Sequence, residues 1–286
     1  MRRFLYAALA VLLVAPGLCA AGDGDRREGM VDTMLEISRT RPQVKTLCEG
    51  LPLEIVKQFR ETESAADLDR MVVEEARKAY DVDLVMGDVR KVCLEMYDEK
   101  TLGDVLAWLR SDMGKKVSEL ENPGHSMEES QRLLDEYAAR LGENPLSDGR
   151  VELVKRLDEA ARMTENVVDL VIFNSVQTLD ASKYWMNDEA AAVIDMTIQG
   201  VESMRGLLVA RNREVTRLGI AHTYRELSDE EFQKYVEFTE STAGKRHNEI
   251  GFEAIREALG NAGERFGHAF SVEWKRVSNP ESTGEI

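Results

Sequence analysis

The chain has 286 residues and a net charge of −16 at pH 7, from 37 lysines and arginines against 53 aspartates and glutamates. A phosphate backbone or an anionic bilayer surface needs a concentrated basic patch, so nucleic acid and acidic membranes are excluded as partners. The length suffices for a sizeable core in one large or two small domains.

The N-terminus carries the marks of export. Arg2 and Arg3 precede an apolar run from Phe4 to Leu18, broken near its end by Pro16 and Gly17. Cys19, Ala20 and Ala21 supply the small residues of a cleavage site, which predicts a signal peptide over 1–21 and a periplasmic or secreted protein. A retained anchor helix is the first alternative. Attachment of lipid through Cys19 is the second, but Pro16 and Leu18 occupy places where a leucine and a small residue are needed. No later stretch is long and apolar enough to cross a bilayer, so no stable membrane span is expected after cleavage. Cleavage leaves Cys48 and Cys93. An even pair in an oxidising compartment predicts one disulfide, which stabilises by about 4 kcal/mol in the chain-entropy model. The Cys-x-x-Cys spacing of redox and metal pairs is missing.

Helical periodicity dominates the rest, and no clear run of alternating β-branched and polar residues predicts a strand. Breaks are expected at Thr40 to Pro42, at Leu51-Pro52, at Asn122-Pro123-Gly124, from Gly142 to Gly149, and after Asn279-Pro280. Ser126 with Glu129, and Ser228 with Glu231, fit the capping box that opens a helix. Leu153, Leu157, Ala160, Ala161, Thr164, Val167, Val168 and Val171 form one stripe, and Val167 to Val176 continue it as helix. Ile194, Ile198, Val201, Met204 and Leu208 form another. Gly260, Gly263 and Gly267 punctuate a last helix. Gly263 and Gly267 suit close helix packing and also a possible homodimer. The predicted fold class is all-α, with two tandem, internally repeated helical units in one elongated or bundled protein. The units are 22–123 and 146–258, with a bridging helix and linker over 124–145 and a C-terminal helix and tail over 259–286.

The repeat rests on an echo. Trp-Leu-Arg-Ser-Asp-Met-Gly-Lys-Lys from Trp108 to Lys116 returns as Phe-Thr-Glu-Ser-Thr-Ala-Gly-Lys-Arg from Phe238 to Arg246. The shared positions are Trp108 and Phe238, Ser111 and Ser241, Gly114 and Gly244, and Lys115 and Lys245. Inward candidates Leu102, Val105, Leu106, Leu109, Met113, Val117 and Leu120 correspond to Phe232, Tyr235, Val236, Thr239, Ala243, His247 and Ile250. A serine competes for backbone groups and a glycine admits close approach, so each segment should break at its serine and resume. The aromatics should then pack inside the bend. This signature resembles that of a family of exported bacterial proteins with a helical domain of unknown function, usually Phe-Tyr-x-Ser-Pro-x-Gly-x-Lys after Leu-Ser/Thr-x-Glu-Glu-Leu. Leu227 to Phe232 and Phe238 to Arg246 match it well, and Trp108 to Lys116 also match. Asp112 and Thr242 replace the family's proline. The resemblance implies an all-helical exported protein and brings no catalytic residues.

Candidate chemistry is sparse. Gly124-His125-Ser126-Met127 resembles a nucleophile elbow, but Glu128 replaces the closing glycine and Ser126 reads equally as a cap. His222 with Glu226, and Glu264 with His268, lie one turn apart, short of the three or four ligands of a zinc site. Asp23-Gly-Asp25 and Asp81-Val-Asp83 lack the rest of a calcium loop. Tyr184, Trp185 and Met186 form an aromatic cluster suited to core or to a groove. No catalytic residues, metal site or cofactor are assigned. The expected function is exported, non-catalytic binding or scaffolding of a protein or small-molecule partner. The alternatives are a periplasmic carrier of a small apolar molecule, and a hydrolase or metal-dependent enzyme with residues dispersed in sequence.

Overall fold

A computed structural model describes residues 23–60, 66–121, 127–183 and 188–278. The proposed signal peptide lies outside these residues, as do the elbow-like segment at Gly124 to Ser126 and the cluster at Tyr184 to Met186. The fold is all-α. Among the described residues thirteen helices run in chain order: α1 (Asp23–Ile37), α2 (Thr40–Arg60), α3 (Ala66–Ala79), α4 (Val82–Met96), α5 (Glu99–Arg110), α6 (Asp112–Leu120), α7 (Met127–Glu143), α8 (Asp148–Ala161), α9 (Met163–Ser182), α10 (Asp188–Ser203), α11 (Arg205–Thr223), α12 (Asp229–Glu240) and α13 (Thr242–Ser278).

Short polar side chains set most of the joints. Asp81 opens α4 by accepting from the backbone N–H of Asp83 and Leu84, which accounts for its place beside Asp83 without a cation. Asp98 caps α5 through Thr101, and Ser147 caps α8 through Arg150. The Ser228–Glu231 capping box forms as expected, each residue satisfying the other's free N–H. Two sharp corners use left-handed residues, Arg39 between α1 and α2 and Arg162 between α8 and α9. At the second, buried Asp158 accepts from the N–H and hydroxyl of Thr164 and from Arg217.

One expected break is absent. α2 runs through Leu51-Pro52. α13 runs 37 residues without interruption, past Gly260, Gly263 and Gly267. A glycine inside a helix costs about 1 kcal/mol relative to alanine, which packing can offset. Here α13 lies against α3, α4, α5, α8, α9 and α12. Gly263 and Gly267 are buried within the chain, and a Cβ on Gly263 would touch Gln177 and the Tyr80 hydroxyl. They serve close internal packing and offer no surface to a second copy.

One apolar core runs from Val31 on α1 to Phe270 on α13, so the two echoed segments share it. α10 and α11 extend end to end. Met204 is the joint and the N-cap of α11 (φ −80°, ψ −3°): its N–H bonds to Val201 O at 3.2 Å and its carbonyl accepts from Leu208 N–H at 2.9 Å. The resulting rod is backed by α9, which contacts both halves. No helix among the described residues is long and apolar enough to cross a membrane.

Candidate functional site

The echoed segments have the same local geometry. Each break consumes a single serine in extended conformation, at φ −67°, ψ 157° for Ser111 and φ −65°, ψ 161° for Ser241. Each serine ends one helix and caps the next. Its Oγ donates back to the aromatic's carbonyl, Trp108 O at 2.5 Å and Phe238 O at 2.6 Å. The same Oγ accepts the N–H of Gly114 at 3.0 Å or Gly244 at 3.1 Å. Both glycines are buried because the chain doubles back onto the preceding turn. A Cβ on either would press into that aromatic's carbonyl oxygen.

The aromatics of the two segments meet. Trp108 and Phe238 stack on each other, with centroids 4.5 Å apart and planes 5° from parallel. This contact joins the two segments. Lys115 and Lys245 stay exposed. The following basic residues make the crossing contacts instead. Lys116 pairs with Glu231 at 2.6 Å, and Arg246 donates to Met96 O at 3.2 Å. Adjacent helical positions differ by 100° in direction, so the first basic residue of each pair lies along the surface and the second reaches across.

Beneath the stack lies a polar cluster that the sequence reading missed. Glu121, just past α6, is fully enclosed. One carboxyl oxygen accepts from Tyr224 at 2.5 Å and from Tyr235 at 2.9 Å. Burial pushes this carboxyl from its ordinary 4.5 up to about 7, although the two hydroxyls pull it partly back. A signal existed: Glu121 continues the four-residue spacing of Met113 and Val117 into the core. Elsewhere in the core, the Tyr97 hydroxyl is hydrogen-bonded to Nδ1 of His247. Burial depresses this imidazole from 6.5 to about 3. Arg150 closes the cluster from α8, donating to Leu227 O and Tyr224 O while its guanidinium lies 4.4 Å from the Phe232 ring centre.

His247 therefore behaves as a core residue. Its folded-state value is depressed, so the stability it contributes is present above pH 6.5 and is lost as pH falls towards 3. Replacing it with valine, the residue at the echoed position 117, is expected to remove that acid-side loss in urea unfolding. The single change strands the Tyr97 hydroxyl at a cost of about 1–3 kcal/mol, which adding Tyr97→Phe should recover. An unchanged acid slope in the double variant would refute the assignment.

The remaining candidates separate. His222 packs its ring edgewise on Tyr137, and Glu226 pairs with Arg225. Glu264 and His268 are exposed. No group of three or more metal-ligating side chains occurs among the described residues.

The expected disulfide is not formed. Cys48 on α2 and Cys93 on α4 are both free and buried. Their surroundings differ: Cys48 lies near Asp81 and Arg265, whereas Cys93 lies near Tyr97. Sequence spacing counts cysteines but carries no distance, and a bridge requires Cβ atoms about 4 Å apart. Burial pushes both thiols up to about 12. The thiolate is the reacting species, so both should resist alkylation near pH 8 and react on unfolding. Rapid labelling of the native protein would overturn this.

No protein-family model, no curated protein and no solved structure matches the chain.

Proposed function

We propose that this is an exported, non-catalytic helical protein whose rod α10–α11 is a binding face. The observation that carries the reading is a line of exposed apolar side chains on that rod. Val193, Met196, Met204 and Leu207 are 58%, 72%, 47% and 64% exposed. The stripe read from sequence divides here. Ile194, Ile198, Val201 and Leu208 are half-buried, whereas Met204 falls on the exposed line. A helix apolar on two faces has more apolar surface than its own chain covers, and such patches mark interaction sites. Export is supported by Arg2, Arg3 and the apolar run to Leu18. The matching geometry at Ser111 and Ser241 supports one helical unit used twice, in keeping with the exported-family signature, here serving to brace the rod's base.

The test is native affinity capture of the protein beside a Met196→Asp variant, with mass spectrometry of retained proteins and small molecules. A partner held by the parent and lost from the variant is expected. Identical retention by both, or an enzymatic turnover abolished by one point mutation in the polar cluster, would overturn the reading.

A further inference from the structure

The exposed line has an order of its own. In sequence it reads Glu189, Val193, Met196, Gly200, Met204, Leu207 and Arg211, at intervals of four, three, four, four, three and four residues. Within α10 and within α11 these intervals keep the residues on one face of each helix, and all seven are exposed. The order is symmetric about Gly200. Four residues out on either side stands a methionine. Seven out stands a branched aliphatic. Eleven out stand charges of opposite sign.

We propose that a second copy of this chain covers the stripe, in an antiparallel two-fold pairing that crosses at Gly200. This rests on the stripe being a binding face and names its occupant. A two-fold interface sets residue i of one copy against j of the other and j against i. Antiparallel pairing about Gly200 sets Met196 on Met204, Val193 on Leu207, and Glu189 on Arg211, each twice. Parallel pairing sets Glu189 on Glu189 and Arg211 on Arg211. The charges thus select the antiparallel form. Gly200 supports the crossing point. It is exposed, and a Cβ there meets nothing within 4 Å, so the chain's own packing has no need of a glycine. At a helix crossing, the missing side chain lets two backbones approach closely.

Sedimentation equilibrium of the purified protein tests the pairing. The parent should show a concentration-dependent monomer–dimer equilibrium. Met196→Asp buries an unpaired charge twice per dimer and should weaken association by about 100-fold. Gly200→Leu should also weaken it while leaving the monomer folded and slightly more stable to heat, since a helix-interior glycine is replaced by a good helix former. Glu189→Arg and Arg211→Glu, alone, should each weaken self-association by about tenfold. An equimolar mixture of those two variants should associate as the parent does, because both charge contacts are restored between unlike chains. A parent that stays monomeric, or a mixture that associates no better than either variant alone, overturns the proposal. A monomer that still captures another protein, lost on Met196→Asp, overturns the second copy alone. Capture unaffected by that change overturns the binding face itself.

Discussion

Alanine at Gly114 or Gly244 is expected to destabilise the fold by about 3 kcal/mol in each case, among the largest effects of any conservative change in the chain. At both positions the added methyl would enter the carbonyl oxygen of the preceding aromatic. It would also lie 2.9 Å from Leu109 Cα in one segment and 2.8 Å from Thr239 Cα in the other. These are backbone atoms, so no side-chain rotation relieves the contact. Opening the break would instead cost the serine cap and displace the Trp108–Phe238 stack. Gly87 and Gly103 are the controls. They lie inside α4 and α5 with nothing within 4 Å of a Cβ, so alanine there should stabilise by about 0.5–1 kcal/mol. Urea unfolding of the four variants measures the contrast. Equal effects at all four positions would show that the two breaks do not demand glycine.

The second large effect belongs to Glu121. Its folded-state value, about 7, stands above its ordinary 4.5. The native protein therefore holds a proton that the unfolded chain has lost in this interval. The associated stability is fully present below pH 4.5 and is lost as pH rises through about 7. The shift corresponds to about 3 kcal/mol. Glu121→Gln keeps a neutral acceptor for Tyr224 and Tyr235 at every pH, so it should be more stable than the parent at pH 8 and nearly equal to it at pH 4.5. His247 contributes the opposite slope over part of the same range. The difference between parent and variant isolates Glu121, and a pH-independent difference would refute its assignment. Tyr235→Phe removes one donor to the carboxylate and should move the loss of stability to still higher pH.

The buried acid also shows where reading a sequence stops. The capping box at Ser228, the serine breaks and the inward faces of α5 and α12 were legible, because each depends on residues within one helical turn. Leu102 and Phe232, Val105 and Tyr235, and Leu109 and Thr239 are all buried as their spacing implied. The cysteine pair was misread for the opposite reason: whether two thiols meet depends on how α2 and α4 pack. Pro52 looked like a break because a proline removes a local backbone bond, yet α2 runs through it.

By itself, then, the sequence determined that the chain is helical, where the helices after Ser111, Ser228 and Ser241 begin, and that its two serine breaks need a glycine three residues on. Caps and periodicity act through neighbouring residues, and the chain carries them whatever its fold. Only the tertiary structure decided that Trp108 stacks on Phe238, that the cysteines stay apart, and that Met204 faces solvent. It also set Glu121 against tyrosines 103 and 114 positions away. The physical reason is that burial and its electrostatic consequences depend on which distant surfaces exclude water, and no local pattern encodes that.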